Sequence, residues 1–116
     1  MWTWICFPSF IMQLQDSFKN GEMSAYSLLK KISSSPLLAI DDIAAEKGTQ
    51  YVQQAIYYIF DYREKWLLKT YATSNFGMEE IEAAYGGRVT DRIAGNCEVK
   101  IVSGNSFRIN PAKKVS

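Results

Sequence analysis

The chain has 116 residues, of which 47% are hydrophobic and 22% are charged, and its formal net charge is +1 at pH 7. This length and composition suit one small globular domain, and the near-neutral charge gives no overall field that attracts nucleic acid. The absence of histidine excludes Ser-His and Cys-His catalysis and histidine-ligated zinc. The two cysteines lack metal-ligand spacing, so we expect reduced thiols and a cytoplasmic location.

The spacing of apolar residues predicts an alternation of strands and helices. In chain order it predicts strand 2–7, helix 10–19, helix 24–32, strand 37–41, helix 49–66, strand 67–73, helices 78–85 and 88–93, and strands 98–102 and 107–109. Pro8 and Ser9 are expected to end the first strand, with Ser9 capping the helix that follows. The apolar N-terminal segment is too short to span a bilayer, so we expect no membrane partner.

The most informative feature is an apolar run that ends in two carboxylates, Leu37-Leu-Ala-Ile-Asp41-Asp42. Four apolar residues suit a strand buried in a parallel sheet, and charge is costly there, so both aspartates belong where the strand emerges. Open α/β sheets bind ligands at that carboxyl edge. One carboxylate there suits a hydrated Mg²⁺ and its neighbour suits an attacking water, although Asp-Asp after a strand is often only a turn or a helix cap.

A second polar group, Thr73-Ser74-Asn75, ends the strand predicted at 67–73. If the strands run parallel, this group lies at the same sheet edge as Asp41. An amide there can orient water against a terminal phosphate, because it offers both a donor and an acceptor. Taken alone, a strand end followed by a helix cap is the simpler interpretation.

A third group consists of Arg88 and Arg92, which are four residues apart and share one face of a predicted helix. The guanidinium fork suits phosphate oxygens and can reach the nucleotide of a neighbouring subunit. Taken alone, a solvated helix with Asp91 as the partner is the simpler interpretation. Together the three groups predict one nucleotide pocket, with the carboxylates, the small polar residues and the basic helix converging at one rim of a parallel sheet.

The order and spacing of these motifs resemble the ATPase domain of DnaC-type helicase loaders and of the related IstB-type transposition helpers, which are AAA+ proteins. The resemblance covers Trp2 to Arg108 and rests on residues 37–46, Thr73-Ser-Asn75, Gly87-Arg-Val-Thr-Asp-Arg-Ile93 and Ser106-Phe-Arg108. It implies a P-loop NTPase fold of the α/β class, a three-layer α/β/α arrangement with a mainly parallel sheet. Residues 1–110 would form a truncated AAA+ ATPase domain and residues 111–116 a basic tail.

The resemblance also implies a role for each matched residue. Asp41 corresponds to the Mg²⁺-associated aspartate, Asp42 to the acid that polarises the attacking water, and Asn75 to the first sensor. Arg92 corresponds to an arginine finger that acts on ATP in the adjacent subunit, and Arg88 lies beside it. Arg108 corresponds to a terminal arginine near the nucleotide. The implied cofactors are ATP and Mg²⁺, and the implied partners are a replicative helicase, single-stranded DNA, and further copies or full-length AAA+ subunits.

The phosphate-binding loop Gly-x-x-x-x-Gly-Lys-Ser/Thr occurs nowhere in the sequence. Compared with the family, the chain is therefore expected to lack the first strand of the sheet, which would separate the strands predicted at 67–73 and 98–102. These two strands are expected either to pair directly or to leave exposed edges. We expect marginal stability and little affinity for ATP.

These residues are compatible with several functions. The first is a fragment of an ATP-dependent, DnaC-like loader for DNA replication, and the IstB-type helper shares its motifs. An alternative is a non-enzymatic module that donates Arg92 to a full-length AAA+ partner. A metal-dependent nuclease or phosphatase built on Asp41 and Asp42 is the least supported, because adjacent strand residues point to opposite faces and would share one metal poorly.

Overall fold

This computed structural model describes residues 2–44 and 49–101. Strands and helices follow each other as β1 (Trp2–Cys6), α1 (Phe7–Lys19), α2 (Glu22–Ser33), β2 (Leu37–Asp41), α3 (Gln50–Lys65), β3 (Lys69–Ser74), α4 (Met78–Tyr85), α5 (Gly87–Asn96) and β4 (Cys97–Ile101). Within these two ranges no helix is both long enough and apolar enough to cross a bilayer. The predicted strand 107–109, Arg108 and the basic tail lie outside the described residues.

The four strands form one parallel sheet in the order β1-β2-β3-β4. Each connection moves one strand further in the same direction, so right-handed crossovers place the intervening helices on the same face of the sheet. Trp2 aligns with Leu37, and Leu37 aligns with Lys69, at the amino edge of the sheet. All four strands therefore end at the opposite, carboxyl rim, and the predicted α/β class with a parallel sheet is confirmed.

The two faces of the sheet differ sharply in exposure. Leu38 and Ile40 point into the helical layer and are almost completely buried. On the other face, Trp2, Trp4 and Tyr71 are 60%, 56% and 39% exposed. Of the three layers that the resemblance implies, residues 2–44 and 49–101 form two, which are the sheet and one helical layer.

Strands β3 and β4 pair directly, with Thr70 aligned to Cys97 and Ser74 aligned to Ile101. This is the first of the two outcomes that the missing phosphate-loop strand led us to expect. Direct pairing satisfies backbone groups that an empty strand position would leave without partners.

Two element boundaries differ from the predictions for identifiable reasons. The first helix begins at Phe7 and runs through Pro8, because proline is tolerated in the first helical turn, where no intrahelical N–H donor is needed. Strand β3 begins at Lys69, two residues later than predicted, because Leu67 adopts a left-handed backbone with φ +55°. Leu67 is 91% exposed, so the predicted buried strand does not include it.

One charged side chain fastens the helical layer to the amino edge of the sheet. Arg63 of α3 is fully buried and donates to Thr70 Oγ1 on β3 and to the carbonyl oxygens of Ser33, Ser35 and Lys69. It therefore joins the end of α2, the approach to β2 and the start of β3 through hydrogen bonds to one guanidinium group.

Candidate functional site

The site is built where β2 and β3 end at the carboxyl rim. Asp41 is the last residue of β2, and Asp42 follows it with a left-handed backbone at φ +72°. Few residues other than glycine adopt this conformation, and aspartate is among those that tolerate it best. Because the backbone turns at Asp42, its side chain does not continue the alternation of side chains along β2. The rule that neighbouring strand residues point to opposite faces therefore does not apply to this pair.

The Thr73 hydroxyl ties both aspartates to β3. Its Oγ1 accepts a hydrogen bond from the Asp42 backbone N–H at 3.0 Å and donates to Asp41 Oδ1. Asn75 completes the cluster, since its Nδ2 donates to Asp42 Oδ1 at 3.4 Å. Asp41, Asp42 and Asn75 thus meet at one rim on parallel strands, as the sequence predicted.

The segment after Asp42 is held against the same strand end and against α4. The backbone N–H of Ile43 donates to Thr73 O at 2.9 Å, and Ser74 Oγ donates to Ile43 O at 3.0 Å. The N–H of Ala44 donates to the buried Tyr85 hydroxyl at 2.6 Å. Tyr85 was not predicted from the sequence, where its only local signal is a large side chain in the same helical stripe as Ile81.

The two arginines lie elsewhere, on the helical layer. Arg92 Nη1 forms an ion pair with Asp61 Oδ1 at 3.1 Å and another with Glu64, and both acids belong to α3. Arg88 Nη2 donates to the Tyr57 hydroxyl at 3.1 Å. Both guanidinium groups lie against the Tyr57 ring, at 4.8 and 5.1 Å from its centroid.

This placement corrects one part of the predicted convergence. The carboxylates and the small polar residues meet at the rim, whereas the basic helix α5 packs its arginines against α3. The acids that hold Arg92 come from α3, and not from Asp91 as the simpler interpretation supposed. No local pattern signalled these pairs, because the partners are about thirty residues away in the sequence.

The site suits a hydrated metal ion better than a fully coordinated one. Within residues 2–44 and 49–101, no group of three or more Asp, Glu, Cys or His side chains is placed to hold a metal. Mg²⁺ typically keeps several waters and binds one or two carboxylates together with substrate phosphates. Thr73 donates a hydrogen bond to Oδ1 of the Asp41 carboxylate. The other carboxylate oxygen suits a Mg²⁺ ion that takes most of its ligands from water and phosphate.

Comparison with known proteins shows what the chain is similar to. No family model matches the chain. The chain is 33% identical over 96 residues to the replicative helicase loader DnaC of Escherichia coli K12, and equally to that of Shigella flexneri. The match covers 82% of this chain and 39% of the relative, so the chain spans well under half the length of these curated relatives.

Solved structures share the fold. The crystal structure of the DnaC helicase loader superposes with a TM-score of 0.70 at 23% identity, over 84% of this chain and 58% of that one. The crystal structure of DnaI gives a TM-score of 0.71 at 24% identity, over 83% of this chain and 54% of that one. A DNA replication initiation factor gives 0.74 at 17% identity, over 97% and 34%. The chain therefore has the fold of these solved structures, and over 82% of its length its sequence is similar to that of the replicative helicase loader DnaC.

Proposed function

We propose that this chain is the part of a DnaC-like helicase loader that carries the hydrolysis-side residues, and that it acts in DNA replication. The observation that carries the proposal is the meeting of Asp41, Asp42 and Asn75 at one rim in a chain 33% identical to DnaC. The partner named for the relatives is a replicative helicase, and we extend it to this chain. Single-stranded DNA and other AAA+ subunits are the further proposed partners, and the cytoplasm is the proposed location.

In this proposal Asp42 polarises the attacking water. Its backbone N–H is fixed by Thr73, and its carboxylate lies 3.4 Å from the Asn75 amide nitrogen. Because an amide both donates and accepts, Asn75 can hold a water against Asp42 in one orientation. Asp41, with one oxygen held by Thr73, is the carboxylate that would meet a hydrated Mg²⁺. When bound, that ion neutralises charge developing on the phosphate oxygens.

ATP needs more than these residues, because its phosphates are normally held by the backbone N–H groups and the lysine of a phosphate loop. That motif is not in this sequence. We therefore expect no Mg-ATP binding by the isolated chain in titration calorimetry. Micromolar binding would show that another part of the chain holds the phosphates and would contradict this assignment.

A second candidate function follows from the position of Arg92. Its contacts with Asp61 and Glu64 place it on the helical layer, apart from the carboxylates at the rim of its own chain. An arginine finger acts in trans when it reaches the nucleotide of a neighbouring subunit. The chain would then serve as a non-enzymatic module that donates Arg92 to a full-length AAA+ partner. The IstB-type alternative shares the same motifs, and the curated match to DnaC favours the loader.

The test mixes the chain with a full-length DnaC-type loader, its replicative helicase and single-stranded DNA. We expect the chain to co-elute with the loader and to change its rate of ATP hydrolysis. Arg92→Ala should still co-elute but leave the rate at its level without added chain, whereas Lys19→Ala, an exposed change at the end of α1, should behave as the wild type. Failure to co-elute contradicts the loader assignment. Equal rates for wild type and Arg92→Ala contradict only the role of the arginine.

A further inference from the structure

The turn between α3 and β3 exposes apolar side chains between two lysines. Its sequence is Lys65-Trp66-Leu67-Leu68-Lys69. Trp66 is 59% exposed and Leu67 is 91% exposed, and both lysines are exposed. Leu67 also has a left-handed backbone, which is uncommon for residues other than glycine. Neither the core nor the candidate site accounts for a large apolar side chain presented in this way.

The amino end of the neighbouring strand β2 lies beside this turn. Lys30 and Lys31 occupy the last turn of α2, which leads into β2, and the start of β2 aligns with Lys69 at the start of β3. Arg63 donates to carbonyl oxygens on both approaches, those of Ser33 and Lys69, and therefore fixes them relative to each other. We define the basic-apolar edge by its exposed members, Lys65, Trp66, Leu67 and Lys69.

The charge of this edge is not cancelled by the acids nearest to it on α3. Asp61 and Glu64 both pair with Arg92 on the flank of the helical layer. Glu98 lies on the open face of the sheet and aligns with Tyr71, which follows Lys69 by two residues along β3. The Lys69 ammonium group lies 5.7 Å from the centroid of the Tyr71 ring, a contact that brings no opposite charge to it. The edge is therefore cationic and also carries a tryptophan and a leucine.

We propose that the basic-apolar edge docks on an anionic lipid surface. Tryptophan is favoured at the interface between headgroups and acyl chains, and an exposed leucine gains by leaving water there. Lysines beside them are attracted to anionic headgroups, each by an amount equivalent to about fivefold in the partition coefficient. The sequence led us to expect no membrane partner because no segment spans a bilayer, but docking on a surface requires no spanning segment.

Leu67 is the residue that favours lipid over nucleic acid for this edge. Single-stranded nucleic acid is bound by aromatic stacking and by cations that follow the phosphates. A leucine side chain offers neither a ring face nor a hydrogen-bonding group, and here it is the most exposed member of the edge. Insertion into an apolar layer is the interaction that uses it.

The experiment is co-sedimentation of the full chain with vesicles, without nucleotide, DNA or helicase. We expect binding to vesicles that contain phosphatidylglycerol and no binding to vesicles of phosphatidylcholine alone. Leu67→Asn, in which asparagine tolerates the left-handed backbone, should lower the partition coefficient at least about tenfold. Lys65→Gln combined with Lys69→Gln should lower it by about 25-fold, and added salt should weaken the wild type in the same direction.

Two matched variants serve as controls. Met23→Asn removes a side chain that is 74% exposed in the first turn of α2, and Lys19→Gln removes a charge from the last turn of α1, where Phe18 contacts Tyr51 at the start of α3. Both should bind vesicles as the wild type does. Wild-type binding that Leu67→Asn leaves unchanged, equal losses in the controls, or absence of vesicle binding would each overturn the proposal. Loss of oligonucleotide binding in the lysine variant, without vesicle binding by the wild type, would reassign the edge to nucleic acid.

Discussion

Replacing Arg63 by methionine is the most direct test of how the helical layer is fixed to the sheet. Arg63 donates from Nε to Thr70 Oγ1 at 2.6 Å and from Nη1 to Ser33 O and Ser35 O at 2.7 and 2.6 Å. Its Nη2 donates to Lys69 O at 2.5 Å. Burial lowers the pKa of Arg63 to about 10, which still leaves the guanidinium charged at neutral pH. Methionine keeps much of the apolar stem and removes every donor.

The expected loss of stability follows from the carbonyl groups that lose their hydrogen-bond donor. Each buried carbonyl that loses its donor costs about 1–3 kcal/mol, so the carbonyls of Ser33 and Ser35 set a range of about 2–6 kcal/mol, to which the part-buried carbonyl of Lys69 adds. Removing a buried charge offsets part of that cost. We therefore expect the free energy of unfolding to fall by about 3–5 kcal/mol, a large share of the roughly 5–15 kcal/mol typical of a domain. For a domain of this size the melting temperature should fall by at least about 12 °C.

Urea unfolding and thermal melting, both followed by circular dichroism, measure this loss. Arg63→Lys should fall between wild type and Arg63→Met, because one ammonium group has three donors and cannot reach acceptors on three segments. Arg88→Met is the control, since it removes an exposed guanidinium from the Tyr57 ring and should cost about 0.5–1 kcal/mol. If Arg63→Met unfolds at the same urea concentration as the wild type, or is no worse than Arg88→Met, the reasoning is refuted.

Three further predictions concern the rim, a partly buried thiol and the whole domain. Thr73→Val should lower the free energy of unfolding by about 1–3 kcal/mol in urea titrations, because Asp42 N–H loses its acceptor and Asp41 loses a donor, whereas Thr73→Ser should not. Burial raises the pKa of the Cys97 thiol to about 12, so its alkylation near pH 8 should be slow until urea unfolds the chain. The pKa of this thiol in the folded chain exceeds the ordinary value of 9.0, so the protonated thiol should stabilise the fold below pH 9. This contribution should decline as the pH rises toward 12, and a comparison of stability with Cys97→Ala measures it. The wild type should melt no higher than about 65 °C, since the open sheet face leaves Trp2 and Trp4 in solvent, and a cooperative transition well above that would contradict marginal stability.

The rim could be predicted from the sequence because two general rules determine it. An apolar strand cannot hold a charge in its interior, and parallel strands end at the same edge, so Asp41 and Asn75 were bound to be neighbours once β2 and β3 were parallel. Helix α3 was equally predictable, since Val52, Ile56 and Ile59 repeat at helical spacing and all three are buried.

The partners of the arginines could not be predicted in the same way. Arg63 stands at helical spacing from the apolar residues of α3 and is buried with them, but its acceptors are carbonyl oxygens that carry no sequence signal. The acids that hold Arg92 lie on a helix that only the tertiary fold brings alongside α5. Tyr85 likewise acts through a contact with the backbone of Ala44, which is set by the packing of α4 rather than by local pattern.

The separation of the carboxylates and the arginines has a consequence for how such a chain works. A guanidinium assists phosphoryl transfer only where it touches the phosphoryl oxygens. Arg92 is held on the flank by α3, whereas Asp42 is held at the rim by Thr73 and Asn75. We infer that the chain carries two half-sites, each completed by another molecule. The rim needs a source of backbone N–H groups for the phosphates, and the flank needs a neighbour's nucleotide. If the chain acts as proposed, assembly with another molecule is what brings the Arg92 guanidinium and the carboxylates at the rim to one phosphate.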